Sequence, residues 1–331
     1  MGAKKAGCYH NTGEGGLSKY HLSGADVVFQ FGTGYNGVYD QVANVHGVRK
    51  FSMKELENLC QTNPQVKMVE IKLHQGAKPG AWSILPMSKM TSEITYIRGV
   101  TLGRSSVSTG HHTAFQDTVS LLNFVEAIAD ATGLPVGIKC AVGKASYWQD
   151  LAMAMDKLGI GPDYIVIDGG EGGTGSATNS FVDHMGLPFM EAFAVAYSEF
   201  LDAGMADKVF WIGSGKLGLP AQAIKAMAMG CDAINVGREA LMSIGCIQSQ
   251  LCHTNRCPTG ITTHHPWRTR GIDPALKSER AANYIMELRK EIKRLTAAAG
   301  YSHPSQFTTS DILINTEGSS RPVSLKKIYS I

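Results

Sequence analysis

Short runs rich in Val and Ile recur along this chain with stretches of helical period between them. That alternation restricts the fold more than any other feature. Candidate strands occupy residues 27–31, 68–73, 100–102, 136–140, 164–167, 209–212 and 233–236. Most lack an apolar–polar alternation, as expected of parallel strands covered on both faces. Ser52 and Glu55 make a capping box ahead of Leu56 and Leu59. Asp117 can cap a helix whose buried stripe is Leu121, Leu122, Val125 and Ile128, and Gly133 ends it. Further helices fit residues 148–158, 189–203 and 276–299, and Pro220 suits the first position of a helix ending near Met229. The tail after Gly300 reads as irregular.

Strand–helix alternation repeated this often means an α/β fold, either a barrel or a doubly wound sheet. Gly213-Ser214-Gly215-Lys216 and Gly237-Arg238 follow the last two strands. A phosphate site in the loops after strands seven and eight is a habit of (β/α)8 barrels. The expected architecture is therefore a TIM (β/α)8 barrel over residues 1–265, with residues 266–331 a C-terminal helix and tail packed on it. Seven strands are found rather than eight.

The core is affordable, since 44% of the residues are hydrophobic. Lys and Arg number 31 against 28 Asp and Glu, and the excess forms no runs. That excludes a dedicated nucleic-acid surface. No stretch approaches the roughly 18 apolar residues of a membrane span. The first nine residues are basic and lack the apolar region of a signal peptide. Seven scattered cysteines without an export signal point to a reducing, cytoplasmic setting.

Three of those cysteines, Cys246, Cys252 and Cys257, lie within twelve residues, in the run Cys252-His253-Thr254-Asn255-Arg256-Cys257-Pro258. Thiols so spaced can converge on an iron–sulfur centre, where a proline after the last cysteine is common. They can also hold zinc with His253 as fourth ligand, or be buried structural thiols. Cys8, Cys60, Cys140 and Cys231 read as core residues. The loop Asp168-Gly169-Gly170-Glu171-Gly172-Gly173-Thr174-Gly175 leaves a strand. Backbone so poor in side chains lets a flat or anionic ligand approach closely. Two more motifs are Asn11-Thr12-Gly13-Glu14-Gly15-Gly16 and Gln75-Gly76-Ala77-Lys78-Pro79-Gly80. Lys139 sits inside an apolar strand, which is costly unless it is paired or faces a polar pocket. A lysine tip snorkelling from the strand end is the plain alternative.

These four motifs, in their order along the chain, resemble the synthase domain of the glutamate synthase family over about residues 2 to 300. The resemblance implies FMN and a [3Fe–4S] cluster as cofactors. Cys246, Cys252 and Cys257 match the cluster ligands. Gly213, Ser214, Gly215, Lys216, Gly237 and Arg238 match the FMN phosphate region, Gly172, Gly173 and Thr174 fall in the flavin-side glycine loop, and Lys139 matches a lysine close to the flavin. Glu14, Gln75 and Lys78 correspond by motif to the 2-oxoglutarate site, and Arg98 lies at the expected distance beyond Lys78. A plain surface arginine is the alternative for Arg98. The implied reaction is reductive synthesis of glutamate from 2-oxoglutarate and ammonia through 2-iminoglutarate.

The sequence departs from the family in three ways. The family's first strand, with its Ser-Ala-Met-Ser-x-Gly loop against the flavin, has no counterpart, and residues 2–7 read as the end of the first helix. An open barrel exposes strand edges and leaves the flavin pocket partly unwalled. A truncation, a segment supplied by another chain, or compromised flavin binding would each follow. Ala81-Trp82-Ser83-Ile84-Leu85 replaces a glycine-rich stretch and would reshape the substrate pocket. Neither an amidotransferase nor a dinucleotide fingerprint is found. Ammonia and electrons are then expected from partners: a glutaminase subunit, and ferredoxin or a flavoprotein. A homo-oligomer is also expected. The competing readings are another FMN-dependent oxidoreductase with a different oxo or imino acid, such as an α-hydroxy-acid oxidase relative, and a non-catalytic truncated barrel. The three-cysteine run argues against the former.

Overall fold

In the computed structural model the residues described are 1–40, 49–172, 177–316 and 320–331, apart from the side chain of residue 179. The Val- and Ile-rich runs form one parallel sheet. Its strands are β1 (His10–Asn11), β2 (Val27–Phe31), β3 (Val66–Lys72), β6 (Val136–Cys140), β7 (Tyr164–Asp168), β8 (Phe210–Ser214) and β9 (Ala233–Asn235), hydrogen-bonded in that order. Between β3 and β6 the chain inserts a short antiparallel hairpin, β4 (Ser83–Leu85) with β5 (Ser106–Ser108). The sheet pairs Val69 with Val136, Ile138 with Ile165 and Val166 with Ile212.

Helices alternate with the strands, and several of them pack on the sheet's outer face. In chain order they are α1 (Gly2–Ala6), α2 (Met53–Thr62), α3 (Ser92–Arg98), α4 (Thr118–Thr132), α5 (Ala145–Leu158), α6 (Asn179–His184), α7 (Phe189–Asp202), α8 (Pro220–Ala228), α9 (Arg238–Ser243), α10 (Pro266–Thr269), α11 (Pro274–Ala298) and α12 (Leu325–Tyr329). Asp117 caps α4 as expected, with Ser120 returning the bond to complete a capping box. Ser52 makes its half of a box by accepting from Glu55 N. Phe29, Ile71, Leu122, Ile138, Trp148, Ile165, Phe193 and Trp211 meet in the layer between sheet and helices. Each such side chain contributes about 1.5–3 kcal/mol by leaving water. α11 packs across α1, α8 and α9.

Inside the curled sheet the side chains change character along the strands. Val28, Tyr164, Val166 and Ile212 form an apolar plug with Tyr9, Met68 and Ala233 around it. Because side chains alternate by face along a strand, the next inward positions are Gln30, Glu70, Lys72, Lys139, Asp168, Ser214 and Asn235. The sheet therefore carries a packed floor and a polar mouth at its C-terminal ends, where barrel enzymes place their chemistry.

Three expectations change. Residues 100–102 are not a strand, since Gly99 ends α3 in a left-handed turn and Leu102 lies in the open. The seventh strand is instead β1, whose polar residues hid it. The tail is not wholly irregular: β10 (Leu313–Ile314) pairs with β11 (Val323–Ser324), and α12 follows. The strand count of seven holds, and the sheet has two edges, β1 and β9. Among the described residues those edges do not pair with one another. The Tyr9 hydroxyl donates to Asn235 Oδ1 at 2.5 Å, linking the two edges through side chains alone.

Candidate active site

The polar mouth begins with Glu14. Asn11 closes the turn before it by accepting from Gly13 N at 2.9 Å, and Asn36 Nδ2 donates to the Glu14 carbonyl at 2.8 Å. Lys72 Nζ, at the end of β3, reaches Glu14 Oε2 at 3.0 Å and Gln75 Oε1 at 2.8 Å. Lys78 follows on the turn after β3, 3.4 Å from Ser83 Oγ. Arg98 is the last residue of α3 and donates to Ser106 Oγ at 3.5 Å. Burial pushes the Glu14 carboxyl up, but Lys72, with Lys78 and Arg98 behind it, outweighs this and holds it below the usual value. Burial in turn lowers Lys78 and Arg98, with Glu14 opposing. Three cations thus gather round one carboxylate. The cleft among Glu14, Lys72, Gln75, Lys78, Ser83 and Thr109 holds about 30 Å³ of free volume, room for a water or two.

Lys139 points into the same mouth from β6. Its ammonium lies 3.7 Å from Asp168 Oδ2. Burial alone would strip its charge, but Asp168, Glu70 and Glu14 more than compensate, and its pKa is raised. The snorkelling alternative fails, because the side chain is enclosed and ion-paired. Asp168 also accepts from Gly76 N at 2.9 Å and from Ser214 Oγ at 2.7 Å, tying together the loops after β3, β7 and β8. Glu70 is 1% exposed and accepts from Asn11 Nδ2 at 3.0 Å and from Gln30 Nε2. Burial raises its pKa, against the pull of Lys139.

The loops after β7, β8 and β9 converge beside Lys139. Arg238 Nη2 donates to the Gly172 carbonyl at 3.1 Å. Gly213 and Ser214 end β8, Gly215 turns with φ +136°, and Lys216 sits at φ +51°. A side chain at Gly237 would meet nothing within 4 Å, so the backbone before α9 is open to a ligand. Bare backbone, the Arg238 cation and a buried ammonium fit what a flavin mononucleotide requires: donors for a phosphate dianion and positive charge beside the ring. Gly173 and Thr174 lie outside the described residues.

The cysteines are arranged differently from expectation. Cys257 is buried and its Sγ lies 3.4 Å from Thr259 Oγ1. Desolvation raises its pKa, but the threonine hydrogen bonds outweigh this and bring it to about 6. Cys246 Sγ accepts from Gln248 N at 3.4 Å. Among the described residues no three His, Cys, Asp or Glu side chains are gathered to hold a metal ion. The three thiols are not gathered on one point, and in this arrangement they do not fit a [3Fe–4S] ligand set, nor zinc with His253. The cysteine loop does touch the hairpin insertion: Lys89 Nζ donates to the Cys252 carbonyl at 2.7 Å, and Asn255 Nδ2 to the Ser88 carbonyl at 2.9 Å.

Trp82 does not reshape the cleft, for it is 69% exposed, while its neighbours Ala81 and Ser83 line the pocket. Lys72, Glu70 and Asp168 also face this mouth, although no motif assigns them a role. The signal that singled out Lys139, a charge inside an apolar strand, applies equally to Glu70 and Lys72.

The conserved region in glutamate synthase matches residues 1–302. The glutamate synthase large subunit-like protein YerD of Bacillus subtilis is 36% identical over 315 residues, covering 95% of this chain and 58% of that protein. The archaeal glutamate synthase [NADPH] of Methanocaldococcus jannaschii is 33% identical over 301 residues, 90% of this chain and 54% of its own length. The chain thus spans about half the length of these relatives. A crystal structure of mandelate oxidase with (S)-4-hydroxymandelic acid superposes with a TM-score of 0.50 at 15% identity, covering 91% of this chain and 70% of that one, a likeness of fold. The order of motifs, the polar barrel mouth and these matches agree, and the chain belongs to the glutamate synthase family.

Proposed function

We propose that this chain is the catalytic barrel of a glutamate synthase-type oxidoreductase, binding FMN at the loops after β7–β9 and an oxo dicarboxylate, 2-oxoglutarate, at Lys72, Lys78 and Arg98. The reading rests on the excess of cations at one side of the mouth: Lys72, Lys78 and Arg98 around the single carboxylate of Glu14, while Lys139 is already paired with Asp168. A dianionic acid brings the charge that balances them. Arg98 can grip one carboxylate through two parallel bonds, and Lys78 acts as a point charge on the same acid. The cleft is small as folded, so the acid enters as the hairpin around Ser83 and Thr109 gives way. Ammonia condenses with the ketone, water leaves, and the iminium carbon then takes a hydride to give glutamate. Reduced FMN, when bound, would supply that hydride, with its electrons drawn from the partner donor. Lys139 holds positive charge beside the flavin position, and Asp168 holds Lys139.

The relatives' names support NADPH as an ultimate donor for them. Here electrons and ammonia come from partners, a ferredoxin or flavoprotein and a glutaminase subunit. The iron–sulfur assignment of Cys246, Cys252 and Cys257 rests on spacing and family alone, and no electron step is routed through it.

The test is glutamate formation from 2-oxoglutarate and labelled ammonia by the FMN-loaded chain under a chemical reductant. Labelled glutamate is expected, with Lys78→Met and Arg98→Met each costing about ten- to a hundredfold in kcat/KM. Reduced flavin that persists without glutamate would reject this acceptor. Turnover of a different oxo acid would favour the second reading, another FMN oxidoreductase. A chain that binds the acid and never turns it over would favour the non-catalytic barrel.

A further inference from the structure

Arg49 lies outside every motif in the sequence, yet its guanidinium joins the segments that carry the acid site. Nη1 donates to the carbonyls of Gly34 at 3.0 Å and Arg98 at 2.9 Å, and to Asn36 Oδ1 at 2.9 Å. Nη2 donates to the Gly99 carbonyl at 3.2 Å. The guanidinium stacks on Tyr39, 4.7 Å from the ring centroid, and Thr113 Oγ1 donates to the Arg49 carbonyl at 3.2 Å.

The acceptors explain the residue type. The carbonyls of Arg98 and Gly99 are orphans at the C-terminal end of α3, where a cation also meets the negative end of the helix dipole. Asn36 is 2% exposed, and Arg49 fixes its amide with the oxygen inward. Its Nδ2 is then left to hold the Glu14 carbonyl at 2.8 Å. One planar fork therefore grips the backbone of Arg98 directly and that of Glu14 through a single buried amide. A lysine has neither the plane nor enough donors to reach all four acceptors.

We propose that Arg49 is a positioning residue that sets the separation of Glu14 and Arg98 and so tunes the affinity of the acid site. The proposal rests on the acid-binding reading above. Arg49 itself touches no substrate. Its effect travels along two hydrogen-bonded paths, each ending on a residue of the anion site. A shift of about 1 Å in such a group can cost a hundredfold in function.

The test is calorimetric titration of 2-oxoglutarate into native protein, Arg49→Lys and Arg49→Ala, with thermal unfolding followed alongside. The expected result is a dissociation constant raised about tenfold in Arg49→Lys at unchanged stoichiometry. Added guanidinium should recover part of the affinity of Arg49→Ala, by occupying the vacated fork. A purely structural role would lower the bound fraction and the melting temperature while leaving the dissociation constant of the folded fraction unmoved, and that would overturn the proposal. If native protein binds no 2-oxoglutarate while Arg98→Met unfolds like the native chain, the acid-site reading falls first and this one with it. Native binding with equal affinity in Arg49→Lys overturns the positioning role alone.

Discussion

Lys139 is a cation held where burial works against its charge. Asp168 at 3.7 Å and Glu70 nearby keep it ionised, and Asp168 also joins the loops after β3 and β8 through Gly76 N and Ser214 Oγ. Removing only the lysine strands two buried acids. Lys139→Met should therefore destabilise the fold by about 3–5 kcal/mol. Lys139→Met with Asp168→Asn should recover part of that loss, because the second change removes the orphaned charge. Denaturant unfolding of the single and double variants checks this coupling, and strict additivity would mean that the pair does not interact. At this scale the sequence was partly legible. Glu14, Gln75, Lys78 and Lys139 announce themselves as motif residues or as charge in an apolar strand, and the structure brings them into one mouth. Arg49 and Asn36 could not be read, because their partners are mostly backbone carbonyls from distant loops, which no side-chain pattern records.

The elements that carry the site are the loops at the C-terminal ends of the strands, and they meet backbone to backbone. Gly76 lies against the carbonyls of Asp168 and Gly169, where a methyl group would overlap main chain rather than a movable side chain. Gly76→Ala should thus force the loop after β3 away from that after β7 and break the Gly76 N–Asp168 bond. A stability loss of about 3 kcal/mol or more is expected, larger than the usual glycine-to-alanine change. Melting curves decide: an unchanged melting temperature would mean that the two loops do not pack as described. The long strands and helices were legible because burial on both faces writes apolar runs, and because caps such as Asp117 and Gly133 are local. β1 and the β4–β5 hairpin were not. Two polar residues or three mixed ones carry no period, and only tertiary pairing makes them strands. Residues 100–102 misled for the converse reason, since Val100 and Leu102 are apolar residues of an exposed turn.

As a whole molecule the chain is built on a seven-stranded parallel sheet curled around an apolar floor, with a charged mouth and two edges that, among the described residues, do not pair with one another and are spanned by Tyr9 and Asn235. Six of the seven sheet strands followed from the sequence and β1 did not, while the way the curled sheet concentrates charge at one end followed only from the inward register of its strands. If the loops after β7–β9 are a flavin site, this mouth holds the flavin by its phosphate. The most direct measurement is equilibrium binding of FMN and of riboflavin to the full, folded chain, read by flavin fluorescence and by flavin retained after gel filtration. Stoichiometric retention of FMN is expected, with riboflavin, which lacks the phosphate, bound at least about tenfold more weakly. A chain that is folded by circular dichroism and retains neither flavin, or binds both equally, would contradict it.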